Sequence, residues 1–219
     1  LDPGFYAEWL DSYYARDIAE LFRIGKRREF LRLARTLMRQ SGGMATVVSL
    51  SKECGATRPT VMAWLEAMRV THLIHEVPPF HGGGRGELLK QPKIYAFDTG
   101  FVAHERGWDS LRPEDCGHLW ENLVLEHLLS RGPVRPVHFW RQDRREVDFV
   151  LPGVRGSADA IECKWSPDRF EPDGLRAFRE LHPSGRNLLV CPDVPRPRLL
   201  RFKDLQVRVC GLDGIFERA

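Results

Sequence analysis

Two short segments hold the residues best suited to chemistry: Glu146-Val147-Asp148 and Glu162-Cys163-Lys164. Each lies in an apolar-alternating run that predicts a β-strand. Val147, Phe149 and Leu151 alternate with Glu146, Asp148 and Val150, and Ile161, Cys163 and Trp165 with Glu162 and Lys164. Period two sends Glu162 and Lys164 to one face, and Ile161 and Cys163 to the other. If the two strands pair as a hairpin, Asp148 lies beside Glu162, and two carboxylates and a lysine converge on one point. Such a set suits a hard divalent cation and a phosphate. A solvated strand face with a weak surface ion pair has the same spacing, and one Glu-x-Lys is expected about once by chance in a chain this long. The elements that must position the triplet decide between the two.

The 219 residues are enough for one sizeable core or two small ones. A hydrophobic share of 42% and a charged share of 29% describe a soluble globular chain. No apolar run approaches the ~18–20 residues of a membrane span, and nothing at the start resembles a signal peptide. The first residue is Leu1 rather than Met, as expected of a piece of a longer chain. A net charge of +3 permits a nucleic-acid partner without demanding one. Cys54, Cys116, Cys163, Cys191 and Cys210 are odd in number and free of any C-x-x-C pair. A reducing cytoplasm is therefore expected, and structural zinc is not. His72 and His75 sit three apart in an expected strand, face opposite ways and make a poor metal pair.

Taken from the start, residues 5–24 place Tyr6, Trp9, Leu10, Tyr13, Ile18, Leu21 and Phe22 at helical spacing, with Gly25 as a stop. In the helix expected over 26–41, Phe30, Leu31, Ala34, Leu37 and Met38 form the apolar face. Arg28, Arg32, Arg35 and Arg39 recur opposite it as a stripe without an acid. That stripe is either a solvated face or a contact for phosphate or an acidic partner. Residues 46–69 predict a helix-turn-helix: a helix over 48–54, a turn at Gly55, then a second helix capped by Thr57 with Pro59 in its first turn. Val61, Leu65 and Met68 form its buried side, and Arg58, Thr60 and Arg69 are its polar contacts. Strands at 72–77 and 92–98 flank a glycine-rich loop, completing a winged helix used either for DNA or for packing. The loop lacks G-x-x-x-x-G-K-[ST], so it is no phosphate loop, although Arg85, Lys90 and Lys93 can touch a nucleic-acid backbone. Residues 1–105 thus read as a helical winged helix-turn-helix domain, 106–116 as a linker and 117–219 as a second domain. In the last, a helix at 117–131 precedes strands at 136–140, 145–151 and 158–164. A helix at 170–182 and strands at 187–191 and 205–210 follow.

That element order resembles the PD-(D/E)-x-K nuclease superfamily. The resemblance implies a restriction-endonuclease-like α-β-β-β-α-β domain with a first-helix acid at Glu121, a metal-binding Asp148, and Glu162 and Lys164 as the (D/E)-x-K. The fourteen positions from Asp148 to Glu162 hold one turn, Pro152 to Gly156, as a hairpin requires. Glu146-Val147 rather than a proline precedes the aspartate, a departure outside the chemistry.

A closer resemblance lies in the segments YYARDI, PTVMAWLEAM, PKIYAFDTGF, LWENLVLEHLL, HFWRQDRREVDFVL and AIECKWS, spread from Tyr13 to Ser166. They are similar to the C-terminal half of a family of prokaryotic AAA-type ATPases, where a winged helix and a nuclease-like domain follow the ATPase. The tail after Phe170 carries little of it. The resemblance implies an ATPase domain as partner, in cis or in trans, and Arg16-Asp17 match a recurrent pair of that family. It implies Mg²⁺ (or Mn²⁺) held by Asp148 and Glu162, Lys164 and Glu121 in support, and DNA as substrate. Arg141, Gln142, Arg144 and Arg145 border the site and can hold its backbone. Two outcomes stay open: a phosphodiester-cleaving nuclease, or an inactive DNA- or protein-binding module that docks on an ATPase domain.

Overall fold

The computed structural model describes residues 3–81, 91–131 and 135–217 of a mixed α and β chain. The chain divides into two compact units. One comprises residues 1–76 and 91–111; the other comprises 77–90 and 112–219. Arg85 and Lys90 of the glycine-rich loop lie outside the described residues.

In the first unit, α1 (Pro3–Tyr13) runs into a π-helical stretch, Tyr14–Ala19, that carries Arg16 and Asp17, and then into α2 (Glu20–Phe22). A π segment widens one turn and is uncommon; the helical spacing of 5–24 survives it, with Leu10, Tyr13, Tyr14 and Ile18 buried. In α3 (Arg27–Arg39), Phe30, Leu33, Ala34, Leu37 and Met38 are buried while the arginine stripe stays exposed. The helix pair follows as α4 (Val47–Cys54) and α5 (Arg58–Val70). Thr46 caps the first through Ser49 N–H, Gly55 turns the chain at φ 76°, and Thr57 caps the second through Thr60 N–H. Short strands β1 (Gly43–Met44), β2 (Ile74–Val77) and β3 (Lys93–Ala96) form a sheet in the order β1-β3-β2. The strand expected from 72 begins only at Ile74, because His72 takes a positive φ of 58° in the turn after α5. Helix α6 (Thr99–Glu105), capped by Asp98 at Gly100 and Phe101 N–H, was not legible as a helix.

The second unit starts its helix α7 (Pro113–Arg131) four residues before the expected position. Polar residues and a proline suggest a linker, yet Pro113 stands at the first helical position, where proline is favoured. Asp115 reaches back to the Arg112 N–H at 3.1 Å, half of a capping box. Strands β4 (His138–Gln142), β5 (Arg145–Pro152) and β6 (Ala158–Cys163) form an antiparallel meander. Helix α8 (Asp173–Leu181) then carries the chain to β7 (Asn187–Val190), parallel to β6. Strand β8 (Arg198–Phe202), absent from the expected order, makes a hairpin with β9 (Leu205–Cys210), which lies parallel to β7. The six strands run β4-β5-β6-β7-β9-β8. Parallel strands are buried on both faces. Leu175 and Phe178 of α8 share a core with Val150, Ala160, Leu189, Val207 and Val209. The intervening Phe149, Ile161 and Leu188 are equally buried, and α7 reaches the sheet through Trp120 Nε1, which donates to Val190 O at 2.9 Å.

The segment 78–80 is a departure from the expected wing. Phe80 N–H donates to Phe139 O at 2.6 Å and Phe139 N–H to Pro78 O at 3.0 Å. These residues therefore extend the β4 edge of the large sheet. Lys93, expected at a nucleic-acid backbone, is buried in β3.

Candidate active site

The register of β5 and β6 pairs Phe149 with Ile161 and Val150 with Ala160. One step further along the same register stand Asp148 and Glu162. Both carboxylates are buried, and the Lys164 ammonium lies 3.0 Å from Glu162 Oε2 and 3.7 Å from Asp148 Oδ2. The three side chains read from the sequence therefore meet.

Strict alternation does not describe how Asp148 gets there. From His138↔Val150 to Trp140↔Val147, β4 advances two residues while β5 advances three. The extra residue is a β-bulge at Asp148–Phe149, a device that re-aims side chains. It shifts the phase of the strand, so Val147 and Val150 both enter the α8-side core with Trp140. Asp148 Oδ2 accepts the main-chain N–H of Cys163 at 2.8 Å, standing in for a ladder carbonyl.

Helix α8 closes the site from above. A Cβ on Gly174 would overlap the Glu146 carbonyl oxygen and meet Glu162 Oε1 at 3.4 Å. Only glycine permits that approach. The cleft measures ≈ 380 Å³, and its rim includes Arg144, Arg145, Arg169, Glu171 and Asp173. Arg169, Glu171, Asp173 and Gly174 were missed from the sequence; the one available signal was Pro172-Asp173-Gly174 at a helix start.

Burial first, and then the neighbouring Asp148 charge, push the Glu162 carboxyl up to about 8, with Glu121 adding to the rise and Lys164 opposing it. Burial alone would lower Lys164; the Asp148 and Glu162 charges and the Glu162 hydrogen bond outweigh it and hold the ammonium above its usual value. Burial and the charges of Asp148, Glu121 and Glu162 raise the Cys163 thiol, which stays protonated. Glu121 is thus near enough to act on Glu162. Among the described residues, however, no three or more His, Cys, Asp or Glu side chains are grouped to hold a metal ion, so Glu121 does not close a three-carboxylate cage. What remains is a facing pair of buried carboxylates. Mg²⁺ takes one or two carboxylates with water and phosphate oxygens, and a divalent cation would relieve the repulsion that raises Glu162. The donor set fits such an ion.

Of the other candidates for holding a substrate backbone, Arg144 and Arg145 line the cleft and the rest lie elsewhere. Arg141 pairs across the strands with Glu146 at 3.7 Å, while Gln142, Arg144 and Arg145 are exposed around the β4–β5 turn. In the first unit, Arg58 is exposed at the start of α5, but the Thr60 hydroxyl shares a 2.7 Å hydrogen bond with Thr57 and serves the cap. Arg69 is paired with Glu66. Arg28, Arg32, Arg35 and Arg39 line one groove, although Glu105 from α6 stands 3.7 Å from Arg35 and 3.9 Å from Arg39. The stripe has no acid among its own positions, but it acquires one from another helix.

Residues 2–112 match the family model described as domain of unknown function DUF8612, and residues 116–203 match that described as domain of unknown function DUF4143. Two uncharacterized proteins, Mb2031c of Mycobacterium bovis and Rv2008c of Mycobacterium tuberculosis, are each 26% identical over 154 residues. Those matches cover 66% of this chain, and the chain spans about a third (35%) of the length of these curated relatives. A solved assembly of Thermococcus gammatolerans McrB AAA+ hexamers with bound McrC is similar at a TM-score of 0.32 and 12% identity, over 84% of this chain and 47% of that chain. That likeness is too slight to bear on fold or function. No helix among the described residues is long and apolar enough to cross a membrane.

Proposed function

We propose a nuclease-like function for this chain, which belongs to the DUF8612 family. On this reading the second unit is a PD-(D/E)-x-K domain that hydrolyses phosphodiester bonds of DNA with Mg²⁺ or Mn²⁺. The first is a winged helix-turn-helix, and the partner is an AAA-type ATPase domain in cis or in trans. One observation carries it: Asp148 and Glu162 face each other on neighbouring strands, with Lys164 3.7 and 3.0 Å away. The α7-β4-β5-β6-α8-β7 order and the segments resembling AAA-type ATPase relatives support it.

Asp148 and Glu162 are the residues that would hold the cation. When bound, it lowers the pKa of a coordinated water and offsets charge on the reacting phosphate. Lys164, an ammonium fixed between both carboxylates, orients the attacking water or stabilises developing charge. Glu121 acts on Glu162 through its charge. Arg141, Gln142, Arg144 and Arg145 hold the substrate backbone, and Arg58 offers a further phosphate contact.

The second reading is a catalytically inactive DNA- or protein-binding module. It is favoured by the Lys164 ammonium, which already pairs with both carboxylates and offsets one of their charges, and by the lack of a third ligand among the described residues. Cleavage of labelled single- and double-stranded DNA and RNA separates the two. Metal-dependent cutting that falls by about 10²–10⁴ in Asp148→Asn and in Lys164→Ala supports the nuclease. Binding without cutting supports the docking module. Cutting that survives both changes rules this centre out.

A further inference from the structure

We propose that the groove along α3 is a track for the phosphodiester backbone of nucleic acid, and that Glu105 sets its strength. The proposal stands apart from the reading of the carboxylate cleft. The groove measures ≈ 820 Å³ and is lined by Arg27 and the four stripe arginines, with Asp11 and Glu53. Five guanidinium groups against Asp11, Glu53 and the adjoining Glu105 leave two positive charges in excess.

These arginines are not equivalent. Arg27 is held by Asp11 at 2.7 Å. Arg35 and Arg39 face the Glu105 carboxylate, which is almost enclosed, and Arg39 Nε also donates to the Glu105 carbonyl at 3.2 Å. Arg28 and Arg32 are exposed and hold no ion pair among the described residues. Two cations are therefore ready, and two are restrained by one acid. The restraint is loose. At 3.7 and 3.9 Å the Glu105 contacts are longer than the ~2.7–2.9 Å of a charge-assisted hydrogen bond, so an incoming phosphate can displace them.

The lining favours phosphate over a protein partner. Leu31 is its one large apolar side chain, whereas protein interfaces are built around an apolar core. Arg28 to Arg39 spans roughly 16 Å at ~1.5 Å per residue. Measured along a duplex axis, that is about five steps at ~3.4 Å per phosphate of one strand. The guanidinium fork also fits phosphate oxygens in pairs.

Fluorescence anisotropy with labelled single-stranded and duplex DNA tests this on the full chain. It is run in EDTA over a series of salt concentrations, so the answer does not depend on whether the cleft cuts. Arg28→Glu/Arg32→Glu is expected to weaken binding at least ~10-fold and to flatten the salt slope by about 2. Arg28→Gln/Arg32→Gln is expected to show a smaller loss in the same direction. Glu105→Gln is expected to tighten binding several-fold and steepen the slope. Charge-reversed protein that unfolds at the wild-type midpoint and binds DNA with unchanged affinity and slope overturns the track. So does a charge reversal that abolishes binding to polyglutamate while leaving DNA binding intact, because the groove would then serve an acidic protein. Unchanged affinity in Glu105→Gln overturns the role of Glu105.

Discussion

Asp148 accepts the main-chain N–H of Cys163 at 2.8 Å, so the carboxylate is part of the sheet as well as of the cleft. Removing it leaves a buried donor unsatisfied. Asp148→Ala is expected to destabilise the chain by about 1–3 kcal/mol. Asp148→Asn keeps an acceptor and removes the repulsion with Glu162, so it should cost less than half as much. Urea unfolding of both variants checks this. A merely solvated strand face requires Asp148→Ala to be neutral or stabilising.

Glu162 gives stability an unusual pH dependence. Its folded pKa, about 8, lies above the usual carboxylate value because of burial and the Asp148 charge. The folded state therefore holds this proton more tightly than the unfolded chain does. The corresponding stabilisation is fully present below the unfolded pKa, near 4.5, and is lost as pH rises through about 8. Thermal unfolding of wild type and Glu162→Gln should show wild type losing stability relative to the variant between those pH values. Mg²⁺ should raise the wild-type midpoint more at pH 8 than at pH 6. A difference between the two proteins that stays flat with pH would refute the assignment.

What could be read from the sequence followed local periodicity. Asp148, Glu162 and Lys164 were legible because a gap holding one turn sets β5 beside β6 and alternation puts Glu162 and Lys164 on one face. Thr57, Gly55 and Pro59 marked the paired helices through capping and turn chemistry that depend on neighbours alone. The bulge at Asp148–Phe149 was hidden because it exists only relative to β4. The Glu105 partnership with the arginine stripe was hidden because α6 lies more than sixty residues downstream of it. Strand β8 was missed in a short proline- and arginine-flanked stretch whose hairpin turn rests on Lys203 at φ 52° rather than on a glycine.

Gly174 is predicted to invert an ordinary helix rule. Replacing glycine by alanine at a compatible position usually stabilises by ~0.4–1 kcal/mol. Here the new Cβ would overlap the Glu146 carbonyl oxygen, which belongs to β5 backbone and cannot swing away. Gly174→Ala should therefore destabilise by about 1–3 kcal/mol. It should also weaken Mg²⁺ binding measured by calorimetry, because α8 must move off Glu162. A stabilised variant with unchanged metal affinity would show that the close approach is not needed.

Phe80 tests where the segment after β2 belongs. In a wing tip, truncating an exposed phenylalanine changes stability by no more than about 0.5 kcal/mol. Phe80 is instead buried, with its ring 5.0 Å from His182, 5.7 Å from His138 and 5.9 Å from Phe178. Its main chain is paired with Phe139 on the β4 edge. Phe80→Ala should cost about 3–5 kcal/mol. Hydrogen exchange should show protection lost first in β4, β5 and α8, because those elements lose the packed ring and the strand that covers their edge. Loss confined to α3–α5, with β4 still protected, would assign the segment to the first unit after all.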